Sequence, residues 1–292
     1  MVQEKSGLVE AFVKMREKGL VFGKGFLGTR ISEKFSYQAI GREIDVHHSV
    51  TLHDFLEREK PNVVINCIGK TGDPNIDWCE SHREETLQSN LVAALNLGIE
   101  CARLGIYFVH LGSGCIYSGD NHGEGFSEED APNFYGPQFY AKTKILAEKA
   151  LRELPSLILR IRMPVDDKPH PRNLIDKLAK YSRLIETKNS MTTVPHMLEA
   201  ILSLIEKRKT GVYNLVNPGL ISPAEIMQMY KELVDNSHNF EIFSLEDLNK
   251  ETKAQRSNCY LNTCKLESEG IRMPEIHEGV RQCLSVYREA KK

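Results

Sequence analysis

The sequence of 292 residues predicts an α/β fold organised around a doubly wound parallel sheet. Short apolar runs alternate with longer helical patterns, as expected when helices cover both faces of parallel strands. The first apolar run, Leu20-Val21-Phe22, is followed at once by Gly23-Lys-Gly-Phe-Leu-Gly28 and a helical segment from Thr29. Because a glycine-rich turn between strand and helix lets the backbone approach a pyrophosphate, the sheet is expected to be of the Rossmann type.

Later segments extend this alternation. The third strand is predicted within residues 61–69, the fourth within 106–114, and further strands at 157–161 and 211–216. Helices are predicted at residues 51–59 and 84–104, the second closed by Gly105, and Ser222-Pro-Ala-Glu225 has the pattern of a capping box. The predicted domains are an N-terminal helical arm (1–18), a dinucleotide-binding Rossmann domain (19–161 and 191–219) and a smaller C-terminal substrate-binding lobe (162–190 and 220–292).

Composition narrows the possible partners. A 41% hydrophobic and 27% charged chain of net charge −2, without a basic stripe, is not expected to bind nucleic acid. No apolar run approaches the ~18 residues that span a bilayer, and no signal peptide is recognisable, so a cytoplasmic protein without membrane contact is predicted. The seven cysteines indicate no disulfide framework. Cys259 and Cys264 lack a second ligand pair, so no metal site is expected.

The fourth predicted strand leads to the main catalytic candidates. Ser113 follows that strand, and Tyr140 and Lys144 lie one turn apart on the next predicted helix, so both side chains can reach one reacting group. A nearby ammonium stabilises a phenolate, and a serine hydroxyl can bind the same carbonyl oxygen. This combination favours hydride and proton transfer to a carbonyl group, whereas Tyr-x-x-x-Lys alone is more typical of an amphipathic surface turn.

Cofactor contacts are expected from the glycine loop and from the end of the second strand. The candidates in the loop are Gly23, Lys24, Gly25, Phe26, Leu27 and Gly28. Arg42 follows the second strand, where an arginine suits the 2′-phosphate of NADP and an acidic residue would suit the ribose of NAD. NADP(H) is therefore predicted, with NAD(H) as the alternative, and a solvated Arg42 without a ligand remains open.

Longer motifs resemble one family of enzymes. These are Thr71-Gly-Asp-Pro-Asn-Ile-Asp-Trp-Cys-Glu-Ser-His82, Gly114-Cys-Ile116, Tyr140-Ala-Lys-Thr-Lys144, Leu159-Arg-Ile-Arg-Met-Pro164 and Pro171-Arg-Asn-Leu-Ile-Asp-Lys177. With the glycine loop, they resemble the extended short-chain dehydrogenases/reductases that act on nucleotide-linked 4-keto-6-deoxy sugars. The resemblance extends over nearly all of the chain after residue 20, and it is strongest to the bifunctional 3,5-epimerase/4-reductases that make nucleotide-linked L-rhamnose.

The resemblance assigns roles to individual residues. It implies a reductase triad of Ser113, Tyr140 and Lys144, and an epimerase acid and base at Cys115 and Lys177. A small buried cysteine and a solvated lysine are the structural alternatives for the last two. Substrate contacts are expected at Asn75, Met163, Arg172, Asn173 and Arg256, the arginines because their planar fork matches phosphate oxygens.

The implied activity is NADPH-dependent 3,5-epimerisation and 4-keto reduction of UDP- or dTDP-4-dehydro-6-deoxy-D-glucose to nucleotide-linked L-rhamnose. The alternatives are a dTDP-4-dehydrorhamnose reductase without epimerase activity and a non-catalytic, dinucleotide-binding regulatory subunit. The expected partner is the nucleotide-diphosphate sugar, and a homodimer is one open oligomeric state. Two features depart from the family pattern: the glycine loop is one residue shorter than G-x-x-G-x-x-G, and the N-terminal arm is additional.

Overall fold

The computed structural model describes residues 17–136 and 138–291. Only the last two residues of the predicted N-terminal arm, Glu17 and Lys18, fall within this range. Among the described residues no helix is both long and apolar enough to span a bilayer. In the same ranges no three His, Cys, Asp or Glu side chains are grouped so that they could hold a metal ion.

A parallel sheet of six strands forms the centre of the fold, in the order β2-β1-β3-β4-β5-β7. The strands are β1 Gly19–Phe22, β2 Gln38–Ile40, β3 Val63–Asn66, β4 Tyr107–Ser113, β5 Ser156–Ile161 and β7 Gly211–Asn214. The chain moves from β1 outward to β2 and then returns to β3 on the other side of β1. This reversal opens a crevice at the carboxyl ends of β1 and β3, where open α/β sheets bind ligands.

Helices cover both faces of this sheet. Alternate strand residues are apolar and fully buried, with Val21 and Val109 in the core on one face and Phe22 and Phe108 in the core on the other. The first face is covered by α1 Phe26–Phe35 and α8 Val194–Glu206, and the second by α2 Ser49–Glu59, α5 Ala93–Leu104 and α6 Phe139–Leu151. The predicted doubly wound α/β class is confirmed.

The long helix predicted at 84–104 is present but irregular. It comprises α4 Arg83–Leu87, a π-helical turn at Gln88–Val92 and α5, which ends at Gly105 in the left-handed conformation. Just before it, the short helix α3 Asp77–Ser81 lies in the loop that follows β3. The π-helical turn faces α6, and such turns occur frequently at functional sites.

The later part of the chain builds a separate core. The elements of this part are α7 Leu174–Leu178, β6 Arg183–Ile185, α9 Pro223–Leu233, β8 Glu241–Phe243, α10 Leu245–Glu251 and α12 Ile276–Lys291, whereas α11 Cys264–Ser268 packs its buried Leu266 into the core on the first face of the main sheet. Strands β6 and β8 pair in parallel, and Ile175, Ile226 and Val280 belong to one buried cluster. The predicted capping box at Ser222 and Glu225 begins α9, and the predicted late strand, β7, pairs with β5.

The glycine loop depends on one close backbone approach. Gly23 has φ +106°, a conformation that side chains rarely adopt. Gly28, in the first turn of α1, packs so close to Gly23 that a Cβ atom would overlap the Gly23 carbonyl oxygen. Gly25 instead has extended backbone angles and no heavy atom within 4 Å of an added Cβ. Gly28 therefore has no room for a side chain, whereas Gly25 has.

This difference predicts that an alanine lowers stability strongly at Gly28 and changes it little at Gly25. Gly28→Ala is expected to lower the free energy of unfolding by about 3 kcal/mol because the strand, the turn and the helix would have to separate. Gly25→Ala is the matched control, and its free energy of unfolding should change by less than about 1 kcal/mol. Urea denaturation of both variants measures the difference. Equal free energies of unfolding for the two variants would contradict the close approach described above.

Candidate active site

A cleft of about 800 Å³ lies at the carboxyl ends of the strands, between the sheet and the later core. Most of the predicted site residues line it: Lys24, Gly25, Phe26, Leu27, Gly28, Ser113, Cys115, Tyr140, Lys144, Met163, Arg172 and Lys177. They come from five separate segments of the chain. The fold therefore brings the predicted cofactor loop, reductase triad and epimerase pair into one space.

The end of β4 forms the floor of this cleft. Ser113 is the last residue of the strand, and its hydroxyl accepts a hydrogen bond from the backbone N–H of Cys115 at 3.1 Å. Parallel pairing places Ser113 opposite Ile161 of β5. Because the chain turns immediately after Ser113, the Cys115 side chain also reaches the cleft. One turn therefore presents both a hydroxyl and a thiol to the same ligand.

Tyr140 is in the first turn of α6, beside that floor. Burial raises the pKa of its phenol, the neighbouring Cys115 raises it further, and a hydrogen bond with the Ser113 hydroxyl opposes this. The charge of Arg162 also lowers the pKa of Tyr140. The phenol therefore carries its proton at neutral pH and is placed to donate it.

Lys144 lies one turn further along α6 and is almost completely buried. Its Nζ donates to the carbonyl oxygen of Leu111 at 2.9 Å and lies 3.4 Å from Nε2 of His110. Burial lowers the pKa of Lys144 to about 8, against the opposing effects of Glu148 and Cys67. The lysine is thus anchored under the strand end, and its proton affinity is matched to exchange near neutral pH.

Two polar residues that sequence reasoning missed support this arrangement. His110 is buried, and its Nδ1 lies 3.1 Å from Nδ2 of Asn66, whose Oδ1 accepts from the N–H of Ile68. Asn90 lies in the π-helical turn, where its amide bonds both backbone groups of Lys70 and the hydroxyl of Thr143. Asn90 therefore ties the loop after β3 to α6, the helix that carries Tyr140.

The opposite wall comes from the segment after β5. Arg172 donates to the carbonyl oxygen of Gly72, which joins this segment to the loop after β3. Burial lowers the pKa of Lys177, with a further decrease from the charge of Arg172 and an opposing effect from Asp73. Met163 has φ +40°, and its side chain also lines the cleft. This segment therefore adds an amine of reduced proton affinity to the cleft that Cys115 also lines.

Five predicted residues do not line the cleft. Gly23 acts through the turn described above. Asn75 accepts a hydrogen bond from the N–H of Asp77, the first residue of α3, and Arg256 pairs with the Asp77 carboxylate at 2.9 Å. Asn173 is completely buried and bonds the backbone of Asp166, Lys168 and Ile175, and its contact with substrate stays a prediction. Arg42 is exposed at the end of β2.

Glu43 is a further residue that the sequence reasoning did not assign. Its carboxylate accepts from Nζ of Lys24 at 2.6 Å and from the N–H of Gly41 at 2.9 Å. These hydrogen bonds, the Gly41 bond first, lower the pKa of Glu43 to about 2. The end of the cleft expected to hold the adenosine of a dinucleotide therefore carries both a cation and an anion.

The model of the RmlD substrate binding domain family matches residues 18–289. The chain belongs to this family. A bifunctional dTDP-4-dehydrorhamnose 3,5-epimerase/dTDP-4-dehydrorhamnose reductase of Arabidopsis thaliana is 37% identical over 275 residues, covering 89% of this chain and 90% of the relative. This RmlD-family chain is accordingly a member of a family of nucleotide-sugar 4-reductases, as the sequence predicts.

Solved structures agree with the RmlD-family assignment. The L780 UDP-rhamnose synthase of Acanthamoeba polyphaga mimivirus superposes with a TM-score of 0.87 at 31% identity, covering 92% of this chain and 99% of that one. A dTDP-4-dehydrorhamnose reductase of Bacillus anthracis, solved in complex with NADP, has a TM-score of 0.79 at 19% identity, covering 92% and 98%. The second likeness is one of fold alone.

The buried Lys144 should reduce the stability of the cofactor-free protein at neutral pH. Its pKa is lowered from 10.5 to about 8 on folding, so between these values the unfolded chain holds a proton that the native protein has released. Stability must therefore rise with pH through this window, and below it the buried charge costs about 3 kcal/mol.

Lys144→Met should consequently raise the free energy of unfolding at neutral pH by up to about 3 kcal/mol, while reductase activity is lost. The advantage of the variant over wild type should shrink as the pH rises from about 8 to about 10, where wild-type Lys144 is neutral as well. Urea denaturation across this pH range gives the measurement. Lys142→Met, at an exposed position of the same helix, is the control, and a pH-independent difference between Lys144→Met and wild type would refute the assignment.

Proposed function

We propose that this chain is an NADPH-dependent enzyme that epimerises C3 and C5 of a nucleotide-linked 4-keto-6-deoxy-D-glucose and then reduces C4, giving nucleotide-linked L-rhamnose. The observation that carries the proposal is that Cys115 and Lys177 line the same cleft as Ser113, Tyr140 and Lys144. A reductase alone requires only the last three. The similarity to a bifunctional epimerase/reductase supports the same conclusion.

The glycine loop fits a dinucleotide. The open space next to Gly25 lies on the cleft side of the loop, so the backbone can approach a pyrophosphate there, and the N-terminus of α1 faces it. When bound, the cofactor supplies the hydride. Lys24 and Arg42 are proposed to hold the 2′-phosphate of NADPH, while Glu43, paired with Lys24, is the residue that would favour NADH.

Reduction requires a proton donor at the sugar carbonyl. Ser113 and Tyr140 line the same cleft, and we propose that one carbonyl oxygen receives a hydrogen bond from each. Tyr140 donates its proton as the oxygen gains negative charge, and Ser113 stabilises that charge. Lys144, with a pKa of about 8, stabilises the resulting phenolate and passes protons near neutral pH. Each triad member thus acts at a defined stage of one step.

Epimerisation uses the same ketone. The C4 carbonyl acidifies the hydrogens on C3 and C5, and inversion needs a base on one face of the sugar and an acid on the other. Cys115 and Lys177 both line the cleft, and they are proposed to act on opposite faces of the sugar. Burial lowers the pKa of Lys177, which makes its ammonium a better acid than an exposed lysine. Ser113 and Tyr140 would stabilise the enolate as they stabilise the oxygen during reduction.

The substrate is proposed to lie along the wall formed by Met163 and Arg172. Arg172 already bridges two loops through the carbonyl oxygen of Gly72, and a guanidinium suits a diphosphate. Arg256 and Asn75 are proposed to act by holding α3 at the rim, since both bond Asp77. Either a uridine or a thymidine nucleotide is compatible with these contacts, so both should be assayed.

The decisive assay supplies UDP- or dTDP-4-keto-6-deoxy-D-glucose with NADPH and identifies the sugar by NMR. Wild type should give L-rhamnose. Cys115→Ser and Lys177→Met should each slow formation of L-rhamnose roughly 100-fold, because each removes one proton-transfer group. Both variants should still reduce a substrate already inverted at C3 and C5. Tyr140→Phe should be inactive on either substrate.

Matched substitutions test whether these effects are local. Cys264→Ser and Lys180→Met replace an exposed cysteine and an exposed lysine near Lys177 in sequence, and both should behave like wild type. If wild type forms L-rhamnose only after a separate epimerase is added, the chain is a reductase alone. NADPH binding without oxidation on either substrate would instead indicate a regulatory subunit, which has no physical need for the complete triad.

A further inference from the structure

Arg162 is a buried cation without a buried anion. It directly follows β5, only 1% of its surface is exposed, and it does not line the cleft. Its guanidinium donates to the carbonyl oxygens of Gly114, Ser190 and Ser257, the side-chain oxygens of Asn189 and Ser257, and the sulfur atoms of Met163 and Cys259. Within residues 17–136 and 138–291, none of its hydrogen-bond partners is a carboxylate.

A second buried arginine, Arg160 in β5, shows how a buried charge is usually compensated. Arg160 is also completely buried, and its guanidinium pairs with the carboxylate of Glu148 at 2.7 Å. Buried charges are normally paired because desolvation of an ion is unfavourable. Arg162 satisfies every N–H yet keeps its positive charge uncompensated. Because burying an unpaired charge is energetically unfavourable, its presence here indicates that the positive charge of Arg162 has a role of its own.

The charge lies directly behind the catalytic floor. Nη1 of Arg162 donates to the carbonyl oxygen of Gly114, the residue between Ser113 and Cys115, at 3.3 Å. A Cβ atom on Gly114 would come within 2.8 Å of Cγ of Arg162. A glycine at position 114 therefore leaves room for the Arg162 side chain to lie against the backbone. The groups whose negative forms interact with the guanidinium are Cys259, Cys115 and Tyr140. Two of these three line the cleft.

We propose that Arg162 is a positioning residue for epimerisation, whose buried positive charge stabilises negative charge on the Cys115 sulfur and assigns Cys115 the role of base. The inference rests on the proposed function and deepens it. In each inversion the Cys115 thiolate takes the proton from C3 or C5, an S–H bond forms, and the electron pair of the C–H bond moves to the C4 oxygen. The Lys177 ammonium then gives a proton to the opposite face, and the C4 carbonyl is restored.

Both groups can then return to their starting protonation states within the cleft. After one inversion Cys115 holds a proton and Lys177 is a neutral amine, so transfer of one proton from the thiol to the amine through cleft water regenerates both. No oxidant or reductant takes part, and the cofactor is not consumed. The opposite assignment, with Lys177 as base, would leave no charged group for the Arg162 guanidinium to stabilise in the resting site.

The test separates epimerisation from reduction by omitting NADPH. Incubation of the 4-keto-6-deoxy-D-glucose nucleotide in D₂O reports epimerisation as deuterium incorporation at C3 and C5, and iodoacetamide followed by peptide mass spectrometry reports thiolate reactivity at Cys115. Arg162→Met should lower both rates on the order of 10-fold or more, because a nearby cation is removed from a low-dielectric site. Arg162→Lys, which keeps the charge, should recover part of both rates. NADPH affinity, measured by fluorescence titration, should match wild type and show that Arg162→Met folds.

Failure of this inference and failure of the proposed function give different results. If Cys115→Ser incorporates deuterium like wild type, the epimerase role of Cys115 is wrong. If Cys115→Ser loses incorporation but Arg162→Met keeps wild-type incorporation and alkylation, the role of Arg162 is overturned. Should Arg162→Met not fold, the wild-type protein still decides: partly buried Cys115 should react faster with iodoacetamide than exposed Cys264. Slower reaction of Cys115 than of Cys264 overturns the inference.

Discussion

The parallel register between β4 and β5 determines how this site is assembled. Ser113 lies opposite Ile161, and the N–H of Gly114 continues the pairing by donating to the carbonyl oxygen of Ile161 at 3.0 Å. The residues that follow each strand are therefore neighbours, which places Cys115 beside Arg162. Since all strands of a parallel sheet end at the same edge, this one register places a hydroxyl and a thiol at the cleft and a buried cation behind them.

Two buried positive charges beside this cleft, on Lys144 and Arg162, lower the free energy of unfolding. Lys144 and Arg162 are both buried at the edge where the proposed chemistry creates negative charge, on the sugar oxygen, on Tyr140 or on Cys115. Their desolvation is unfavourable in the resting protein, as the lowered pKa of Lys144 shows. Fixed charges that need no rearrangement during the reaction are effective because they are already oriented towards the charge that develops. Catalytic power and folding stability therefore have opposite requirements at these two positions.

Features that depend on a local sequence pattern are predicted well. Apolar runs locate the strands, and the four-residue spacing places Tyr140 and Lys144 on one face of a helix. Cys115 and Lys177 could be assigned only through resemblance, because nothing local distinguishes them from a core cysteine and a surface lysine. Arg162 and Asn90 escape prediction because their partners lie far away in the chain: Arg162 bonds Asn189 and Ser257, and Asn90 bonds Thr143. Asn173 differs from these two, because its backbone partners Asp166, Lys168 and Ile175 lie two to seven residues away.

The two halves of the proposed reaction are also linked mechanically. Phe26, in the cofactor loop, stacks on His170 with ring centroids 4.7 Å apart, and Arg30 of α1 pairs with Asp166 at 2.9 Å and with Asp167 at 2.7 Å. These three partners belong to the segment that continues into α7 and Lys177. The proposed epimerisation consumes no cofactor, yet the segment that carries its proposed acid, Lys177, contacts the predicted cofactor loop and α1. Occupation of the glycine loop and placement of Lys177 are therefore properties of one packed unit, which favours a single binding event for both reactions.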